Sequence, residues 1–110
     1  MTINTTTENS IATITIHGEI DASNSVTIDS ELKAVFEGLE KNILLDCENL
    51  TYISSAGLGV IMSYIEDIKE QGINFVIYGL SDQVFEVFQI LGLDVLLKIV
   101  ANKKTALEII

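Results

Sequence analysis

Residues 53–62 read ISSAGLGVIM, two serines and two glycines at the mouth of an apolar run. Val60, Ile61, Tyr64, Ile65 and Ile68 recur at the spacing that places apolar side chains on one helical face, so a helix is predicted from this point to Gly72. Its first turn carries Gly57 and Gly59. Each glycine in a helix costs up to about 1 kcal/mol relative to alanine, so the pair gives up about 1–2 kcal/mol. Ser54 can cap the helix, its hydroxyl accepting a bond from an early backbone N–H, for about 1 kcal/mol. Capping uses one serine and leaves the glycines without a reason. With Ser54 as cap, Ser55 becomes the first helical residue, beside a patch made bare by Ala56, Gly57 and Gly59. Small residues let a partner's backbone come close, and the free N–H groups at the positive end of the helix dipole favour an anion.

Outward from this stretch, strand and helix patterns alternate. SIATITIH (10–17) is a β-branched run of strand type, which Gly18 is expected to close. A strand over Thr2–Thr6 can pair with it as a hairpin through TENS (7–10). After EIDASN (19–24), Ile28, Leu32, Val35, Phe36 and Leu39 mark one face of a helix ending near Gly38, with Ser23 or Asn24 as its cap. NILLDC (42–47) and INFVIYG (73–79) read as short strands covered on both faces. SDQVFEVFQILG (81–92) reads as a helix capped by Ser81, with Val84, Phe85, Phe88 and Leu91 inward. DVLLKIV (94–100) is a fifth strand candidate, and Asn102 can cap a short helix over 103–110. Parallel strands need crossovers, so this alternation predicts an α/β structure with a largely parallel sheet.

A chain of 110 residues, 48% of them hydrophobic, supplies one domain with a core of its own. Cys47 is the single cysteine, which leaves no disulfide framework and no cysteine-based metal site. The residues MTINTTTENS lack the pattern of a signal peptide, and no stretch approaches the ~18 apolar residues of a membrane span. A cytoplasmic protein is expected, with no membrane partner. Sixteen acidic residues stand against six lysines and no arginine, for a formal net charge of −10. Nucleic acid is disfavoured, because phosphate-backbone binding relies on Lys and Arg. A basic protein partner fits the charge; so does a merely solubilising surface.

Enzyme signatures are thin. There is no G-x-S-x-G elbow, no phosphate-binding G-x-x-x-x-G-K-S/T loop and no H-E-x-x-H. His17 stands alone, with no second ligand or nucleophile spaced to join it, and Cys47 has no basic neighbour in sequence to lower its pKa. No catalytic residue, cofactor or metal is expected.

TYISSAGLGVIMSYIEDIKEQGINFVIYGL (51–80) resembles the STAS domains of bacterial anti-sigma factor antagonists, whose motif runs aspartate, phosphorylatable serine, serine/threonine/alanine, glycine, leucine, glycine. IHGEIDASNS (16–25) is similar to the family's second segment, and GLSDQVFEVFQILGLDVLLKI (79–99) to its C-terminal half. The resemblance implies a single STAS-like α/β domain over residues 1–110, with a mostly parallel sheet of four to five strands and helices packed against it. It places Ser55 on the phosphorylated serine and Asp21 on an acidic residue beside it. Ser54 stands where many members have aspartate, which makes it an alternative acceptor. The implied role is binding. Unphosphorylated, Asp21, Asn24, Ser54, Ser55, Ala56, Gly57 and Gly59 would dock onto an anti-sigma factor that is also a serine kinase; phosphorylation would release it, and a serine phosphatase would reset it. The alternative is a constitutive subunit of a lipid-transport complex or signalling scaffold, without a phosphorylation cycle.

Overall fold

The computed structural model describes the whole chain, Met1–Ile110. Strand β1 (Thr2–Glu8) is rich in threonine, threonine alternates with isoleucine in the first part of β2 (Ile11–Ile20), and the two strands pair antiparallel. Asn9 and Ser10 join them in a two-residue turn, with φ of 52° and 64°. That left-handed pair matches the twist of the flanking strands, which ordinary turns would splay. Gly18 does not close β2. Its φ of 95° and the register shifts on either side of it mark an irregularity through which the strand bends and continues to Ile20.

Helix α1 (Ser25–Phe36) buries Ile28, Leu32 and Phe36, whereas Leu39 lies beyond its end and is 96% exposed. Strand β3 (Asn42–Ile53) runs well past the expected six residues. The polar continuation ENLTYI is held as strand by pairing with the bent end of β2, Asn49 opposite His17 and Tyr52 opposite Glu19. The single helix predicted after it is two, α2 (Ser55–Met62) and α3 (Ile65–Glu70). Between them the Ser63 hydroxyl donates to the Val60 carbonyl at 2.6 Å, and the Ser63 N–H reaches both the Gly59 and Val60 carbonyls. Such side-chain competition tightens the last turn and bends the path.

Strand β4 (Asn74–Tyr78) is followed by α4 (Asp82–Ile90), capped by the Ser81 hydroxyl, which accepts from the Val84 N–H at 3.3 Å. Val84 and Phe88 are buried, Phe85 only partly, and Leu91 is half exposed. The first part of DVLLKIV is helical rather than extended. Gly92, at φ 73°, turns the chain into α5 (Leu93–Leu96), and Leu93 and Leu97 are both buried. Only Lys98–Val100 forms a strand, β5. Asn102 caps α6 (Lys103–Ile109), its side chain accepting from the Thr105 N–H at 2.9 Å.

The five strands lie in the order β1-β2-β3-β4-β5, with β2 to β5 parallel. Inward side chains of the sheet, among them Ile14, Ile16, Ile43, Leu45, Phe75 and Ile77, meet α1 to α5 in one core. On the other face Leu44, Val76 and Tyr78 pack beneath Ala106 of α6. This is the α/β architecture with a mostly parallel sheet expected from the sequence.

Candidate functional site

Strands β2 and β3 end side by side, Ile20 opposite Ile53. The segments that follow them therefore leave the sheet at the same end, and residues 21–24 sit beside the start of α2. The Ser54 N–H donates to the Ile20 carbonyl at 2.8 Å, tying the two segments together. Ser54 is extended (φ −82°, ψ 170°) and its hydroxyl accepts from the Gly57 N–H at 3.2 Å, the capping expected of it. Ser54→Ala should lower stability by about 1 kcal/mol, read as a shift of the urea midpoint at constant slope.

Ser55 follows as the first residue of α2 and is exposed, as are Ala56 and Gly59. Around Gly59 there is open space. Met62 and Ser63, exposed one to two turns on, extend the same helical stripe. Gly57 departs from the expected patch, because it is buried. A Cβ on it would stand 2.5 Å from Ile20 Cγ2 and 2.9 Å from Ile53 Cγ1. The two glycines thus have different reasons: Gly57 lets α2 sit directly on the strand ends, and Gly59 leaves its outer surface flat.

Asn24 flanks α1 without capping it. Its side chain instead accepts from the Asp21 N–H at 3.0 Å and donates to the Glu19 carbonyl at 2.9 Å, fixing the loop between β2 and α1. The Asp21 carboxylate accepts from the Ser23 hydroxyl at 2.5 Å and the Ser23 N–H at 2.8 Å. These bonds, the hydroxyl foremost, hold its pKa below the usual carboxylate value. A group depressed in this way contributes stability at pH above its unfolded value and loses it as pH falls through the folded one. Asp21 is therefore a fixed negative charge at neutral pH, beside the helix that carries Ser55.

One feature of this end was not legible in the sequence. The Tyr64 hydroxyl, at the break between α2 and α3, donates to the Asp29 carboxylate and to the Asp29 carbonyl at 3.1 Å, while its ring lies 5.0 Å from that of Phe36. Partial burial, then the Asp29 contact, push the Tyr64 pKa up. Tyr64 read as one more apolar position of a helix; its polar end fastens α2 to α1. Cys47 is fully buried and its thiol pKa is raised by desolvation, so it is an inert packing residue. His17 is exposed on β2. No helix is long and apolar enough to cross a membrane.

Residues 2–106 match the STAS domain family. The chain is 32% identical over 87 residues to an anti-sigma-B factor antagonist of Listeria monocytogenes, covering 78% of this chain and 75% of that one. Its fold is shared with an anti-sigma factor antagonist from Mycobacterium paratuberculosis (TM-score 0.89, 17% identity, 97% and 91% of the two chains). It is also shared with the Bacillus cell fate determinant SpoIIAA in its phosphorylated form (TM-score 0.73, 20% identity, 97% of each chain).

Proposed function

Because the chain belongs to the STAS domain family, we propose that it is an anti-sigma factor antagonist that works by binding and is switched at Ser55. The observation that carries this reading is Ser55 itself: an exposed hydroxyl on the first turn of α2, held in place by the Ser54 cap and flanked by Ala56 and Gly59. Unphosphorylated, this turn and the Asp21–Asn24 loop would dock onto an anti-sigma factor that is also a serine kinase, so freeing a sigma factor. Phosphorylation adds about −1.5 to −2 charges at pH 7, beside the fixed carboxylate of Asp21 in a chain already at −10. A serine phosphatase would restore the binding form. The Listeria relative, an anti-sigma-B factor antagonist by name, and the phosphorylated SpoIIAA structure support this reading. No catalytic step is assigned to the chain, and its site of action is the cytoplasm.

A second reading rests on Ser54, which stands where the family pattern has aspartate. With that carboxylate absent, the domain would serve as a constitutive binding subunit of a lipid-transport complex or signalling scaffold. Phosphate incorporation by the cognate kinase, mapped by mass spectrometry, separates the two. Label on Ser55, absent from Ser55→Ala and faster in Ser54→Asp, is the expected result. Label on Ser54 would move the switch by one residue, and no label on either would favour the constitutive subunit.

A further inference from the structure

β1 is an edge strand with nothing to protect its free side. Over seven residues it carries no lysine, no proline and no bulge, the usual devices against pairing with another chain, and its one charge is Glu8 at the end. The two-residue turn makes Glu8–Ile11 a hydrogen-bonded pair, so along the ladder Ile3, Thr5 and Thr7 turn their N–H and C=O groups outward. No backbone bond outside the ladder takes up any of them.

We propose that two copies of this chain form a two-fold dimer by antiparallel pairing of β1 with β1, joining their sheets into one. A two-fold axis at Thr5 sets Thr5 against Thr5 and Ile3 against Thr7 of the second copy. These are the residues whose backbone groups face outward, and each such pair exchanges two bonds. In this register Glu8 stands opposite Thr2 of the second copy and far from its Glu8; parallel pairing would set the two carboxylates side by side. The groove beside β1 gives an independent reason. It has a volume of ≈ 310 Å³, is lined by Thr5, Thr7, Ala12, Val35 and Leu39 together with the carboxylates Glu31 and Glu40, and lies along the helix-covered side of β1. Leu39, 96% exposed, has no apolar cover in the single copy. Ile3 of the second copy, arriving opposite Thr7 on the same side of the joined sheet, supplies it. The α2 stripes remain uncovered, because they lie away from this edge.

The test is sedimentation equilibrium of the full chain over a range of concentrations. Wild type is expected to form a dimer, and Thr5→Lys and Thr5→Glu are each expected to weaken it at least 10-fold, since like charges then meet directly across the axis. An equimolar mixture of the two variants should recover the dimer as a heterodimer. Thr5→Pro removes only an outward amide and should fold, as circular dichroism would show, yet remain monomeric. A wild-type chain that is monomeric at high-micromolar concentration overturns the proposal. So does a dimer indifferent to Thr5, or a β1 edge that pairs only with a strand of another protein.

Discussion

A Gly57→Val protein is expected to lose about 1–3 kcal/mol of stability, the usual cost of overpacking a filled core. The valine Cβ alone would meet Ile20 Cγ2 at 2.5 Å and Ile53 Cγ1 at 2.9 Å, and its two methyl groups have nowhere to turn. Neither isoleucine can swing aside: Ile20 is 0% and Ile53 5% exposed. Relief requires α2 to lift from the strand ends, which strains the Ser54 N–H bond to the Ile20 carbonyl. The measurement is urea unfolding of wild type and variant. Gly59→Val is the control, because its side chain enters open space and the glycine-to-valine change is mildly favourable for helix formation. Unchanged stability in Gly57→Val would mean that the helix rests on the sheet less closely than the structure has it.

Phosphoserine at position 55 is expected to weaken binding to the anti-sigma partner by about 3 kcal/mol, over 100-fold, the scale of like-charge conflict or an unpaired charge in a tight interface. In the binding mode proposed above, the partner would approach the exposed stripe of Ser55, Gly59 and Met62, where the bare Gly59 leaves no recess for a dianion. Asp21 cannot relieve the repulsion by taking up a proton, since the Ser23 hydroxyl and amide favour its charged form. Ser55→Asp, with one charge and a shorter reach, should show a smaller loss in the same direction, and Ser55→Ala none. Titration calorimetry with the purified partner reads all three. If the phosphorylated chain binds as tightly as the unmodified one, Ser55 lies outside the interface and the switch is wrong.

The serine cap, the hairpin and the alternation of strands with amphipathic helices were all readable, because each is written in residues close together in the chain. What misled were the places where a distant residue decides. ENLTYI does not look like a strand; it becomes one because β2 bends at Gly18 and offers it a partner. The helix after Ser54 contains no proline, and the bond of the Ser63 hydroxyl to the Val60 carbonyl at the bend is a weak signal when read from sequence alone. It divides where Tyr64 turns to Asp29, 35 residues earlier. Gly57 is hard to read for a different reason. It lies four residues before Ile61 and so belongs to the buried stripe, but a glycine contributes nothing to a hydrophobic pattern and reads with the exposed small residues. The site residues named from the resemblance do converge at one end of the sheet, Gly57 beneath the surface and the rest at it.

The sheet runs β1-β2-β3-β4-β5, so spatial order repeats chain order. Its consequence concerns birth rather than binding. On a ribosome, where a chain emerges at about 5–20 residues per second from its N-terminus, each strand finds its docking edge already made by the strand just before it. No strand must be inserted between two earlier ones, and none must wait for a later segment to open a place. Every crossover closes a modest loop, and the cost of closure rises only slowly with length. The hairpin comes first, β3 adds to the free edge of β2, and Ser54 can meet the Ile20 carbonyl as soon as β3 is seated. The surface that carries Ser55 can thus form before the last two strands have emerged, and those strands then add the cover that holds it.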